Sequence, residues 1–121
     1  MSKRILTVDD SRTMREMVAL TLRSAGFDIV QADDGINALK ALENTEVDMI
    51  ITDLNMPNMD GLELVRTLRA KPQFKGMPIL FLTTRNSEAD KNAGRAAGAT
   101  GWIVKPFDPA RLVQVVNKVC P

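Results

Sequence analysis

Asp9 and Asp10 follow the apolar run Ile5-Leu6-Thr7-Val8, and Asp53 ends the run Met49-Ile50-Ile51-Thr52. Thr83 closes Ile79-Leu80-Phe81-Leu82, and Lys105 follows Trp102-Ile103-Val104. If these runs pair as parallel strands, their ends meet at one sheet edge and gather three carboxylates, a hydroxyl and an ammonium. Adjacent carboxylates repel and raise one another's proton affinity unless a cation joins them. Magnesium suits such a place, because it takes oxygen ligands and retains waters, so two carboxylates, a carbonyl and solvent suffice. A carboxylate there is also a competent covalent nucleophile. Singly, each residue has a plainer explanation. Asp9 or Asp10 could cap a helix, Asp53 could be a loop acid, Thr83 a satisfied strand hydroxyl, and Lys105 a snorkelling chain end. Their shared edge is what argues for a site.

The elements that would position these groups alternate along the chain. Strands are expected over 5–8, 27–32, 48–53, 77–84 and 101–104. Between them, Met14, Met17, Val18 and Leu22 recur at helical spacing up to a stop at Gly26. Ile36, Leu39 and Leu42 mark a short helix after Gly35, and Leu62, Val65 and Leu68 one after Gly61 that ends at Lys71-Pro72. Residues 87–97 predict a fourth helix anchored mainly by alanines, and Leu112, Val115, Val116 and Val119 form the stripe of a fifth. The first, third and fourth strands are continuous apolar runs, as expected where helices cover both faces of a sheet. The pattern predicts an α/β fold, a doubly wound five-stranded parallel sheet flanked by five helices. In such sheets ligands bind beyond the carboxyl ends of the strands, where strand order reverses.

Composition bounds the function. A chain of 121 residues, 45% of them hydrophobic, is sized for one domain with its own core. A formal net charge of +1 gives no bulk attraction to nucleic acid or to an anionic membrane. The lone Cys120 allows no disulfide framework within one chain, which fits a reducing compartment. No run approaches the roughly 18 apolar residues of a membrane span, and the opening run is too short for a secretion signal. A cytoplasmic monomer is expected. There is no histidine, which excludes a histidine triad, a histidine metal site and an internal phosphohistidine relay.

The segments Val8-Asp9-Asp10-Ser11, Asp53-Leu54-Asn55-Met56-Pro57-Asn58-Met59-Asp60-Gly61, Leu82-Thr83-Thr84 and Lys105-Pro106-Phe107 occur in this order. In order and spacing they resemble a response-regulator receiver domain, over the whole of residues 1–121 and with no output domain, which implies a flavodoxin-like, CheY-like fold. The Met-Pro-Asn-Met-Asp-Gly run most resembles the CheY-type chemotaxis regulators. The resemblance implies that Asp53 is the phosphoacceptor, attacking a phosphohistidine on a CheA-like histidine kinase. It implies that Asp10 and Asp53 ligate Mg2+ directly, Asp9 through water, and Asn55 through its backbone carbonyl. Lys105 would pair with a phosphoryl oxygen, and Thr83 would swing in to hydrogen-bond it. The Lys105–Pro106 bond would be cis, as X-Pro bonds alone readily are. Phosphoryl transfer asks mainly for positioning and charge neutralisation, which such a site supplies.

The implied output is a changed surface on the fourth helix, fifth strand and fifth helix, which binds a target such as a flagellar motor switch protein. A phosphatase is a further implied partner. Trp102 occupies the position where the family usually has tyrosine or phenylalanine, and with Arg95 and Lys118 it is expected on the partner surface; a fixed anchor is its plainer role. Arg85, two residues beyond Thr83, stands where the family tunes dephosphorylation. Met14, Met17 and Met49 are expected in the core, and Val113 is expected to form an apolar spot with Trp102.

The chain is therefore expected to be a signalling switch rather than an enzyme. One alternative in the same class is a phosphate sink that drains a shared kinase. In a different class stands a magnesium-dependent phosphohydrolase with an aspartyl nucleophile, but such enzymes commonly carry an Asp-x-Asp pair on the first strand. A flavin-binding module would want a phosphate loop where Asp9-Asp10-Ser11-Arg12 stands.

Overall fold

The computed structural model describes residues 2–121. Five strands alternate with five helices: β1 (Arg4–Val8), α1 (Arg12–Ser24), β2 (Asp28–Ala32), α2 (Gly35–Asn44), β3 (Met49–Thr52), α3 (Gly61–Arg69), β4 (Ile79–Thr83), α4 (Glu88–Ala97), β5 (Gly101–Val104) and α5 (Pro109–Val119). A single 3-10 turn, Pro72–Phe74, lies between α3 and β4. All strand pairs are parallel, in the order β2-β1-β3-β4-β5. The doubly wound sheet read from the apolar runs is the fold of the chain. Its strand order reverses between β1 and β3, whose ends are aligned by the pairing of Val8 with Thr52.

Helix starts follow local chemistry. Ser11, Asp34, Asp60 and Ser87 each accept a hydrogen bond from the backbone N–H three residues on, satisfying donors that a helix start leaves unpaired. Pro109 opens α5, where its missing N–H and fixed φ are tolerated. Gly98 ends α4 at φ 109, a left-handed conformation glycine adopts without a Cβ penalty. β4 begins at Ile79 rather than residue 77, because Pro78 has no N–H to donate to the ladder.

Alternate strand residues feed two cores. Leu6, Val8, Ile50, Ile79 and Phe81 pack beneath α2, α3 and α4. Ile5, Met49, Ile51, Leu80 and Leu82 pack beneath α1 and α5. Among the expected core methionines, Met49 is fully buried and Met14 is partly buried, but Met17 is 50% exposed. The buried side of α1 is carried by Val18, Ala19 and Leu22, which leaves Met17 beyond the edge of that arc. Val113 packs partly buried against the α1/α5 core and does not join Trp102; the α5 residues sharing a depression with Trp102 are Arg111 and Val115. α4 buries only Gly94 and Ala97, so little apolar area holds it down. Among the described residues, no helix is long and apolar enough to cross a membrane.

Candidate functional site

The ends of β1, β3, β4 and β5 bring Asp9, Asp53, Thr83 and Lys105 to one edge. Asp9 is held on three sides. Its N–H donates to the carbonyl of Ala32 at 3.1 Å, its Oδ1 accepts from the Ser11 N–H at 2.9 Å, and its Oδ2 accepts from the Lys105 ammonium at 2.6 Å. Asp53 directs Oδ1 at the N–H of Leu54, 2.7 Å away, and Oδ2 at the same ammonium, 3.1 Å away. Lys105 thus bridges two nearly buried carboxylates. The backbone N–H of Lys105 donates to the carbonyl of Thr83 at 2.8 Å, and the Lys105–Pro106 bond is cis.

Burial pushes the Asp9 carboxyl above its usual range, and the bonds from Lys105 and Ser11 only partly offset it. For Lys105, burial pulls the ammonium down, but the hydrogen bond to Asp9 and the charges of Asp53 and Asp9 outweigh it, so it is held above the ordinary lysine value. Both directions describe crowded acids that gain from a cation. The exposed Asp10 completes the group: one oxygen from each of Asp9, Asp10 and Asp53 lies within 4.8 Å of the others. The donor set, all carboxylate oxygen with no nitrogen or sulfur, fits a hard cation such as magnesium. Asn55 shares an open depression with Asp10, Met56, Pro57 and Asp60.

Thr83 is buried, and its Oγ1 accepts a long bond, 3.3 Å, from the N–H of Arg85. Arg85 forks onto Asp90 of α4, with contacts of 3.0 and 2.9 Å, and reaches Oδ1 of Asn55 at 3.5 Å. The indole N–H of Trp102 donates to the carbonyl of Arg85 at 2.9 Å. Its ring lies half-buried, 5.1 Å from that of Phe81 and tilted by 46°. Thr83, Arg85 and Trp102 are thereby linked through the β4–α4 loop. Arg95 bonds Asn92 and lines a hollow with Lys91 and Trp102; Lys118, in the last turn of α5, is not part of that lining.

Several contributors escaped the sequence reading. Arg15 donates to the backbone carbonyl of Asp9 at 2.7 Å, tying the Asp9–Asp10 corner to α1. A Cβ on Gly61 would fall 2.2 Å from the carbonyl oxygen of Asp53, so a bare backbone is required where α3 starts against the site. Asp34 and Asn58, bonded at 2.7 Å, join α2 to the loop after Asp53. An aspartate directly before the helical stripe at Ile36 is a cap signal that the sequence reading did not use; nothing along the chain points to its second bond.

A doubly wound parallel sheet with an acid trio and a bridging lysine at its switch point defines the receiver class. Residues 5–117 match the response regulator receiver domain, and the chain belongs to that family. It is 40% identical over 117 residues to the chemotaxis protein CheY-3 of Vibrio cholerae, covering 96% of this chain and 90% of that protein. Its structure is similar to that of the chemotaxis response regulator CheY4 of Vibrio cholerae, with a TM-score of 0.93, 44% identity, and coverage of 98% and 99% of the two chains. It is also similar to the receiver domain of the sensor histidine kinase PA1611 from Pseudomonas aeruginosa PAO1, whose structure has a magnesium ion coordinated in the active-site cleft. There the TM-score is 0.91, the identity 28%, and coverage 99% and 98%. The chain is thus a receiver domain similar to the chemotaxis regulators, consistent with a phosphorylation-activated signalling switch.

Proposed function

We propose that residues 1–121 act as a single receiver domain whose Asp53 accepts a phosphoryl group from a phosphohistidine of a CheA-like histidine kinase. Oδ1 of Asp53 accepts from the Leu54 N–H and Oδ2 from the Lys105 ammonium; Oδ2 becomes the attacking oxygen when Lys105 turns to the incoming phosphoryl group. An oxygen–phosphorus bond forms, the phosphorus–nitrogen bond breaks, and the imidazole leaves with the electron pair. Asp10, Asp53 and the Asn55 carbonyl would hold Mg2+ directly and Asp9 through water, and the ion would neutralise charge on the transferred group. Lys105 keeps its charge and turns to a phosphoryl oxygen. The long bond at Thr83 Oγ1 costs little to give up, which suits a hydroxyl that swings toward the new phosphoryl group. The loop that follows would carry Arg85 and Trp102 with it and change the α4–β5–α5 surface, where Trp102, Arg95 and Lys118 would meet a target.

The observation that carries this reading is the ammonium of Lys105 shared between Asp9 and Asp53 beside Asp10. Within it, the protein works in the cytoplasm as a monomer. It signals by binding a protein such as a flagellar motor switch component and is reset by its own slow hydrolysis or by a phosphatase. Incubation with a small acyl phosphate and Mg2+ tests the core of the proposal. One stable phosphoryl adduct is expected by intact mass, absent in Asp53→Asn. Rapid multiple turnover would replace the switch by a phosphohydrolase. An adduct that binds no partner would favour the phosphate sink.

A further inference from the structure

Asn55, whose carbonyl faces the acid cluster in this reading, lies on an exposed loop joining β3 to α3. At its base, Leu54 accepts a hydrogen bond from the N–H of Gly61 at 2.8 Å. At its far side the loop is tied to the start of α2. Asn58 donates its amide to Oδ2 of Asp34 at 2.7 Å, while Oδ1 of the same carboxylate accepts from the Asn37 N–H at 2.8 Å and caps α2. The N–H of Gly35 donates to the carbonyl of Met59 at 3.2 Å. The approach is close enough that a Cβ on Gly35 would fall 2.6 Å from Cγ of Met59. Asn58 stands at φ 69, a left-handed conformation that asparagine tolerates better than most residues.

The Asp34 carboxylate is 5% exposed, and both of its oxygens are spoken for. One serves its own helix. The other reaches 24 residues along the chain to the loop that carries Asn55. We infer that Asp34 and Asn58 are positioning residues for metal binding: their bond holds the loop of Asn55 against α2, so that the Asn55 carbonyl is presented to the ion held by Asp10 and Asp53. This rests on the magnesium reading of the acid cluster. Groups that orient metal ligands commonly change affinity by about 10- to 100-fold when removed, so a loss at the lower end is expected from a loop retained by its base.

Two substitutions isolate the tether. Asp34→Ser keeps a good N-cap but is too short to reach Asn58. Asn58→Gly keeps the left-handed φ and removes the donor without changing charge. Magnesium affinity would be measured on the folded proteins by Trp102 fluorescence and by calorimetry, with Asp33→Ser as a control that removes the same charge one residue away. Each tether variant should bind Mg2+ roughly tenfold more weakly. The double variant should be no weaker than either alone, because one bond is broken in all three, and Asp33→Ser should match wild type. Wild-type affinity in both tether variants, with Asp10→Asn still impaired, would overturn the inference and leave the metal reading standing. Additive losses in the double variant would overturn it too, as two independent effects. If wild type itself binds no Mg2+, the metal reading fails and the inference with it.

Discussion

The ammonium of Lys105 lies 2.6 Å from Oδ2 of Asp9, 96 residues earlier in the chain, and both side chains are less than 10% exposed. The same nitrogen is 3.1 Å from Asp53. One lysine therefore neutralises two crowded carboxylates. Removing one member of a buried pair leaves uncompensated charge, at a cost of about 3 kcal/mol. Lys105→Met should lose about that much stability in urea without Mg2+, and saturating Mg2+ should restore more to the variant than to wild type. The pH profile carries a second signature. The ammonium is held above its ordinary value of 10.5, so its contribution is complete below that pH and is lost as pH rises through the folded-state value. Lys105→Met should lack that alkaline decline. Equal stability of the two proteins without Mg2+ would mean that the pair contributes nothing.

Asp34 should govern part of the acid side. The Asn37 N–H and then the Asn58 amide hold its carboxyl below the ordinary 3.8, against an opposing effect of burial. A depressed acid contributes stability above its unfolded-state value and loses it as pH falls through the folded one. Wild type should therefore weaken between about pH 4 and the folded-state value, and Asp34→Ser should show a shallower slope over that window in urea melts. Parallel curves for the two proteins would remove Asp34 from the acid response.

Thr7 offers a test that owes nothing to function. Its Oγ1 is buried without a hydrogen-bond partner among the described residues, beside Val18, Ile51 and Leu82. An unpaired buried hydroxyl costs about 1–3 kcal/mol. Thr7→Val keeps the shape and the β-branching, so it should stabilise the protein by roughly 1 kcal/mol and raise Tm by several degrees. A lower Tm would show that the hydroxyl is bonded, for example through a buried water.

What could be read along the chain divides along physical lines. β1, β3 and β4 were legible because parallel strands buried on both faces are apolar throughout, as Ile79-Leu80-Phe81-Leu82 is. The helices were legible from apolar stripes and from breakers such as Gly26 and Pro72, since both are local. Asp9, Asp53, Thr83 and Lys105 were legible as a group because parallel pairing gathers strand ends whatever the loops do. The contacts of Arg15 with Asp9 and of Asn58 with Asp34 were not, because they depend on how loops fold over the edge. Met17 was misplaced because hydrophobicity alone does not say how wide the buried arc of α1 is.

Trp102 shows the same limit and gives the sharpest test of the proposed output face. Its large ring fits because α4 presents Gly94 to it: a Cβ there would fall 2.7 Å from Cζ3 of Trp102. On helix propensity alone, Gly94→Ala should stabilise α4 by about 1 kcal/mol. The indole is half-buried and is the element able to give way, so the methyl should drive it outward and break its bond to the carbonyl of Arg85. Gly94→Ala should therefore gain little or no stability, shift Trp102 emission to the red, and increase quenching by iodide. If Trp102 couples the loop of Thr83 to a partner surface, phosphorylated Gly94→Ala should label normally at Asp53 yet bind its target differently from wild type, and Trp102→Ala should bind it more weakly. Unchanged emission together with the full propensity gain would mean that the ring does not rest on Gly94 in solution. Unchanged target affinity in both variants would put the output surface elsewhere.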